Sequence, residues 1–145
     1  RLLGMPRIIQ VPRITLSPTL VLQGGKPYLA LSTPGGDNQD QALLQVMLNV
    51  LEFGMNPQQA VEGPRFETAH LVSSFDNHPF RPRALYLDER FDPAVVNLLA
   101  ERGHQTRVRV RWMNGAAPVL IRVDPASGAI EAGADPFGYR YAAAW

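Results

Sequence analysis

Hydrophobic and polar positions follow two different periods along this chain, which predicts a mixture of strands and helices. Two apolar runs, at Thr19–Gln23 and 28–32, flank the sequence Gly24-Gly25-Lys26-Pro27, and this arrangement is typical of an antiparallel hairpin. From 38 to 53 the chain is mostly apolar, and its polar residues recur every three or four positions, which predicts a helix. They are Gln41, Gln45, Asn49 and Glu52. We expect protein on more than one side of so apolar a helix.

Two more helices are predicted at Asx-Pro pairs. The first begins at Asn56-Pro57 and runs through Val61, because Gly63-Pro64 must end it. The second begins at Asp92-Pro93 and ends at Gly103. Each pair places a side-chain acceptor before a proline, whose fixed φ suits the first helical turn, so both pairs are good helix starts.

The remaining apolar segments predict strands. Two short ones are expected at 65–68 and 84–87, and a three-stranded meander is expected at 106–112, 117–123 and 129–132. This order predicts an α+β fold with a mostly antiparallel sheet and helices packed on it. Residues 1–18 carry three prolines and no sustained period, so we expect an extended surface segment cut from a larger chain.

Composition narrows the classes of function. The 145 residues are 46% hydrophobic and have a formal net charge of +1, which suits one apolar core and does not favour nucleic acid as a partner. Cysteine is absent, which excludes disulfides and thiolate zinc sites and leaves the cellular compartment open. No apolar run approaches the roughly 20 residues of a spanning helix, so no membrane span is predicted.

The segment 31–37, Leu-Ser-Thr-Pro-Gly-Gly-Asp, joins the predicted hairpin to the long helix. Adjacent Gly35 and Gly36 allow the backbone to approach a ligand closely, and the free amides of a first helical turn attract anions. Asp37 is predicted to be the N-cap of the helix. From these residues alone, the glycine pair is either an anion-holding corner or a plain strand-to-helix turn.

The histidines and one acidic pair have simple explanations. No two histidines lie at helical ligand spacing, so we expect surface or loop histidines and predict no metal and no cofactor. They are His70, His78 and His104. The pair Asp88-Glu89 is expected to be solvated.

Several motifs occur in a defined order between about residue 12 and residue 145. They are Leu16-Ser17-Pro18-Thr19, Gly25-Lys26-Pro27, Thr33-Pro34-Gly35-Gly36-Asp37, Phe53-Gly54-Met55, Ala60-Val61-Glu62-Gly63-Pro64-Arg65-Phe66, Gly103-His104 and Ala134-Asp135-Pro136. This order resembles the C-terminal small-subunit region of the gamma-glutamyltransferase family. The form Thr-Pro-Gly-Gly-Asp, in place of Ser-Pro-Gly-Gly, resembles its bacterial gamma-glutamyltransferase-like branch.

The resemblance implies an N-terminal nucleophile hydrolase, a four-layer α/β/β/α sandwich formed when a precursor cleaves itself into the large and small subunits of a heterodimer. Residues 19–145 would then be the C-terminal part of the catalytic domain. The freed N-terminal threonine attacks the γ-carbonyl of glutathione or a related γ-glutamyl compound, and water or an amino acid accepts the glutamyl group. Gly35 and Gly36 match the family's glycine pair, whose backbone N–H groups hold the oxyanion. The implied partners are the upstream part of the precursor and a small γ-glutamyl substrate.

Two departures from the family pattern change what is expected. The nucleophilic threonine lies upstream of the first motif and is not in this chain, so the chain alone is expected to be inactive. Ile14 and Thr15 occupy the positions of a Ser-Ser pair that binds the substrate α-carboxylate. Thr15 still donates one hydrogen bond, and Thr33 either contacts the substrate or satisfies its own turn. An acylase for glutaryl-type amides, or a non-catalytic module, is therefore an alternative function.

The arginines allow two explanations each. Arg107, Arg109 and Arg111 alternate with apolar residues, so they form either the outer face of an edge strand, where like charges oppose aggregation, or a surface that attracts an anionic partner. Arg13 and Arg65 are expected either to bind an acidic substrate or to hold the large subunit.

Overall fold

The computed structural model describes residues 16–110, 115–138 and 142, and this part of the chain forms seven strands and three α-helices. None of these helices is long and apolar enough to cross a membrane. The helices are α1 (Gln39–Leu51), α2 (Pro57–Glu62) and α3 (Pro93–Glu101). The strands are β1 (Thr19–Gln23), β2 (Lys26–Ser32), β3 (Phe66–Thr68), β4 (Ala84–Asp88), β5 (Gln105–Arg109), β6 (Val119–Val123) and β7 (Ile130–Ala134).

The first sheet has the strand order β1-β2-β6-β7, and every pair in it is antiparallel. The hairpin predicted at its edge is confirmed, although β2 already begins at Lys26. Gly24 and Gly25 adopt φ values of +57° and +78° in the connection, where a side chain would be strained. A β-bulge between Val21 and Leu22 shifts the register of the two strands.

The second sheet has the order β3-β4-β5, with β3 antiparallel and β5 parallel to β4. The predicted three-stranded meander is therefore wrong: β5 belongs to the second sheet, and only β6 and β7 form a hairpin. Helix α3 causes this difference, because it connects β4 to β5, and a crossover helix returns the chain parallel to its first strand.

The core lies between the first sheet and the helices α1 and α2. Both helices pack on one face of that sheet, and the side chains that meet there are almost fully buried. The cluster comprises Leu29, Leu31, Leu43, Val46, Val50, Ala60, Val61 and Leu120. The α+β prediction, with mostly antiparallel pairing and packed helices, is confirmed.

The two predicted helix starts, Asn56-Pro57 and Asp92-Pro93, are confirmed by the hydrogen bonds of their caps. The Asn56 side chain accepts a hydrogen bond from the Gln59 amide at 2.9 Å, and the Gln59 side chain accepts one from the Asn56 amide at 3.2 Å. This reciprocal pair is a capping box that satisfies two otherwise free amides. Asp92 caps α3 by accepting from the Ala94 amide at 2.8 Å.

Glutamine side chains of α1 pair with the backbone of β3 along its free edge. Gln45 donates to the Phe66 carbonyl and accepts from the Phe66 amide, both at 2.9 Å. Gln41 pairs in the same way with Thr68, at 3.2 Å and 2.8 Å. The spacing of the two glutamines along the helix matches the spacing of their two partners along the strand, because four helical residues rise about 6.0 Å and two strand residues about 6.6 Å. The polar stripe that predicted the helix thus joins the helix to the second sheet.

A glutamine of α2 pairs in the same way with the backbone of β7, an edge strand of the first sheet. Gln58 of α2 donates to the Ala134 carbonyl at 3.0 Å and accepts from the Ala134 amide at 3.1 Å. This contact needs a glycine at 133, because a Cβ there would lie 2.4 Å from the carbonyl carbon and oxygen of Pro57. Glutamines of helices therefore satisfy backbone groups at one edge of each sheet.

We predict that the double substitution Gln41→Ala and Gln45→Ala frees the edge of β3. The four lost hydrogen bonds are worth about 2–6 kcal/mol in total, so the amide hydrogens of Phe66 and Thr68 should exchange at least roughly tenfold faster in the full protein. Hydrogen exchange measures this. Glu52→Ala, at the exposed end of the same helix, should leave these rates unchanged. Unchanged exchange in the double variant would contradict the pairing.

Candidate functional site

The corner between β2 and α1 requires glycine at both positions of its Gly-Gly pair. Gly35 has φ +137° and Gly36 has φ +55°. A Cβ on Gly35 would lie 2.8 Å from the Gly115 carbonyl oxygen, and a Cβ on Gly36 would lie 2.7 Å from the Phe75 ring. A side chain is therefore strained at both positions by the positive φ, and its Cβ would displace backbone at Gly35 and the Phe75 ring at Gly36.

Thr33 anchors the corner to the neighbouring strand connection. Its side chain is buried, and its hydroxyl donates to the Pro34 carbonyl at 2.7 Å and accepts from the Ala117 amide at 2.9 Å. The Ser17 hydroxyl donates to the Thr33 carbonyl at 3.0 Å. These contacts come from two sides of the corner and hold its backbone in one conformation.

The amides of Gly35 and Gly36 donate no hydrogen bond within residues 16–110 and 115–138. The chain then enters a 3-10 turn at Gly36–Asn38, in which the Asn38 amide donates to the Gly35 carbonyl at 3.0 Å. Two adjacent amides at the start of a helical segment form a favourable place for negative charge. The corner can therefore hold a carboxylate, a phosphate or a developing oxyanion.

Asp37 is not the N-cap of α1, so that prediction is wrong. Asn38 occupies the N-cap position and makes no side-chain cap hydrogen bond. The extra 3-10 turn moves the start of α1 past Asp37. Its carboxylate instead accepts a hydrogen bond from the Ser74 amide at 2.7 Å, which joins the corner to the connection between β3 and β4.

A cleft of about 670 Å³ lies beside the corner, and Gly36 and Asp37 form part of its wall. Glu67 also lines the cleft, and it accepts hydrogen bonds from Arg109 at 3.0 Å and from Asn38 at 3.4 Å. The Arg109 guanidinium also lies 3.7 Å from the centroid of the Tyr86 ring, a cation–π contact. This network connects the corner to the second sheet.

Arg107 and Arg109, two of the three alternating arginines, have different surroundings in the structure. Strand β5 is an edge strand, as predicted, and Arg107 is exposed on it. Arg109 is different, because it pairs with Glu67 two strands away. Arg111 lies outside the described residues, as do Arg13, Ile14 and Thr15.

Asp88 is buried, so the prediction of a solvated acidic pair is wrong for it. Arg90 makes a bidentate contact to the Asp88 carboxylate, at 2.8 Å and 2.7 Å, and also donates to the Glu62 carbonyl at 2.6 Å. The hydrogen bond to Asp88 raises the pKa of the Arg90 guanidinium above its ordinary value, since it favours the charged form. This cluster joins the end of β4 to α2.

Two histidines make local contacts within the β3–β4 connection. The Arg83 amide donates to Nδ1 of His70 at 3.3 Å, and Nδ1 of His78 lies 2.8 Å from the Ser73 carbonyl. His104 is exposed after α3. Among the described residues, no group of three His, Cys, Asp or Glu side chains could hold a metal ion.

Arg65 neither binds an acidic substrate nor holds another subunit, so both predictions for it are wrong. Its guanidinium is buried and lies 2.5 Å from the Asp135 carboxylate, and it also donates to the Val61 carbonyl. Asp135 in turn accepts from the Phe137 amide at 2.9 Å. The sequence motifs contain both partners, but 70 residues separate them, and no local pattern joins them.

Comparisons with known proteins find relatives of this chain. The sequence profile described as Gamma-glutamyltranspeptidase matches residues 10–145. The Glutathione hydrolase-like YwrD proenzyme of Bacillus subtilis (strain 168) is 32% identical over 127 residues, which are 86% of this chain and 22% of that protein.

Solved structures share the fold. Gamma-glutamyltranspeptidase of Helicobacter pylori superposes with a TM-score of 0.71 at 27% identity, covering 87% of this chain and 62% of that one. Cephalosporin acylase from Bacillus halodurans superposes with a TM-score of 0.74 at 26% identity, covering 88% and 22%. The chain thus spans about a fifth of the length of the YwrD proenzyme and of the acylase.

We predict that Arg65→Met destabilises the full protein by about 3–5 kcal/mol, because it leaves the Asp135 carboxylate buried without a counter-charge. Adding Asp135→Asn removes the second charge and should recover most of the loss. The midpoint of thermal unfolding measures both effects, and the exposed Arg107→Met is the control. If Arg65→Met instead changed only substrate affinity, the structural role would be wrong.

Proposed function

The chain belongs to the gamma-glutamyltranspeptidase family, and on this premise we propose that it is the C-terminal part of an enzyme that transfers or hydrolyses γ-glutamyl groups of glutathione-like amides. Its described residues form part of the N-terminal nucleophile hydrolase fold of the family's enzymes. In this proposal residues 1–18 lead in from the upstream part of a precursor, and residues 19–145 complete its catalytic domain.

An upstream partner is supported by the open face of the first sheet. Leu20, Ala30, Ile121 and Ala132 lie in one row across its four strands. They face away from α1 and α2, and Leu20 is 60% exposed and Ile121 47% exposed. In an α/β/β/α sandwich this face packs against another sheet, which is not the β3-β4-β5 sheet described above. We propose that the rest of the precursor, with the large subunit and the start of the small one, supplies that layer.

The proposed reaction begins with an N-terminal threonine of the upstream part. Its hydroxyl oxygen attacks the γ-carbonyl carbon, and its proton passes to the threonine's own α-amino group. The carbonyl oxygen becomes an oxyanion, and the amine leaves with a proton as the amide C–N bond breaks. Water or an amino acid then attacks the acyl-enzyme and releases the γ-glutamyl group.

One observation carries the role of this chain in that reaction: two successive amides, of Gly35 and Gly36, donate no hydrogen bond within the described part of the chain and lie in an anchored corner. We propose that they donate to the oxyanion. A donor held in place before the reaction needs no reorganisation when charge develops, and one such donor is worth about 3–4 kcal/mol of barrier.

Substrate contacts by the two threonines also belong to the proposal. The Thr33 hydroxyl is buried and already accepts one hydrogen bond and donates another, so its contact with the substrate is proposed from the resemblance to the family and not from this geometry. Thr15 lies outside the described residues, and its contact with the substrate carboxylate is proposed from the family motif alone.

An acylase for glutaryl-type amides is the second candidate. The likeness to a cephalosporin acylase favours it, as does Ile14, which has no hydroxyl to bind an α-carboxylate. A non-catalytic module of the same fold is the third candidate, and it requires that the precursor lack the threonine.

The full precursor distinguishes these candidates. We predict self-cleavage that leaves a new N-terminal threonine upstream of this chain, detected by intact mass and N-terminal sequencing. The processed enzyme should hydrolyse a chromogenic γ-glutamyl anilide faster than the matching glutaryl anilide. The reverse preference would favour the acylase. Absence of both cleavage and turnover would favour the module and exclude the proposed enzyme.

We predict that Gly36→Ala lowers kcat of the processed enzyme by about 100-fold, because the added Cβ meets the Phe75 ring and displaces an oxyanion donor. Gly24→Ala is the matched control. Gly24 has φ +57°, close to the +55° of Gly36, and nothing lies within 4 Å of its Cβ position. It should keep normal kcat. A kcat for Gly36→Ala within threefold of the unmodified enzyme would rule out the oxyanion role.

A further inference from the structure

The chain between β3 and β4 contains a loop, residues 73–79, that closes on itself. The Ser73 amide donates to the Pro79 carbonyl and the His78 amide to the Phe75 carbonyl, both at 3.0 Å. Nδ1 of His78 also lies 2.8 Å from the Ser73 carbonyl. Such internal bonds give the loop a defined shape before it meets any other element.

This 73–79 loop touches the corner at two adjacent points. The Ser74 amide donates to the Asp37 carboxylate at 2.7 Å, which is a charge-assisted hydrogen bond. Next to it, the Phe75 ring lies so close to Gly36 that a Cβ there would be 2.7 Å from one ring carbon and 3.3 Å from two others. The loop therefore contacts both residues that follow Gly35.

These two contacts lie outside the hydrophobic core. Asp37 does not cap α1, and its side chain is exposed, so its hydrogen bond to Ser74 belongs neither to the helix start nor to the core cluster. Phe75 remains 42% exposed and is not part of the core cluster. Glycine has the most permissive backbone of all residues, and these contacts restrict the backbone conformation at Gly36.

We propose that Asp37 and Phe75 are positioning residues for the Gly36 amide, holding the 73–79 loop against the corner so that this N–H points at the oxyanion. The inference rests on the proposed function. The Asp37 carboxylate holds the Ser74 amide, and the Phe75 ring blocks rotation of the backbone at Gly36. In this role the two side chains act through the Gly36 amide and not through a contact with the substrate.

The test compares kcat and KM in the processed enzyme. Misplacing a catalytic group by about 1 Å costs on the order of 100-fold in rate, so Asp37→Ala and Phe75→Ala should each lower kcat roughly 10- to 100-fold with KM within threefold. Asp37→Asn should recover kcat to within threefold, since the amide oxygen still accepts a hydrogen bond from Ser74. A role in folding alone would not produce this split between kcat and KM.

Matched controls come from the same two segments. Asp40→Ala changes an exposed aspartate one turn further along, and Phe80→Ala changes a phenylalanine that is 56% exposed just beyond the loop. Both should keep normal kcat. Hydrogen exchange gives a readout that needs no activity: the Ser74 amide should exchange at least tenfold faster in Asp37→Ala and at the normal rate in Asp37→Asn.

The inference is overturned if Asp37→Ala keeps kcat within threefold, if it raises KM at constant kcat, or if Asp40→Ala loses as much activity. Failure of the proposed function is recognised separately, because the unmodified enzyme would then turn over neither anilide. A slow Asp37→Ala enzyme with normal KM, rescued by Asp37→Asn, supports the positioning role.

Discussion

The rest of the structure depends on glutamine side chains that complete the edges of both sheets. An edge strand leaves backbone N–H and C=O groups without partners, and one glutamine amide supplies a donor and an acceptor together. Gln41 and Gln45 of α1 serve β3, and Gln58 of α2 serves β7. Because α1 also packs on the first sheet, the pairing with β3 sets where the second sheet lies.

That placement determines the surroundings of the glycine corner. Glu67 lies between the two β3 residues that pair with α1, and its carboxylate contacts Asn38 at the end of the corner's 3-10 turn. The β3–β4 connection then brings Ser74 to Asp37. The corner is thus supported by the second sheet on one side and by Thr33 and the first sheet on the other, which is the kind of fixed geometry that electrostatic catalysis requires.

Prediction from sequence succeeded where neighbouring residues decide the outcome. The hairpin follows from its glycines, α2 and α3 from their Asx-Pro starts, and α1 from the spacing of its polar residues. Prediction failed for Arg65, for Asp37 and for the strand at 105–109. The partner of Arg65 is 70 residues away and that of Asp37 is 37 residues away, and no periodicity reports such pairings.

The amino-acid sequence by itself determined the positions of turns, caps and helices, because these depend on φ preferences and on hydrogen bonds within a few residues. It also determined the family, through the order of short motifs. Only the tertiary structure decided which sheet each strand joins and what the polar stripe of α1 binds. It also decided that Arg65 is a buried structural cation. The physical reason is that a buried charge or an edge strand is satisfied by whichever group the fold brings near, whatever its distance along the chain.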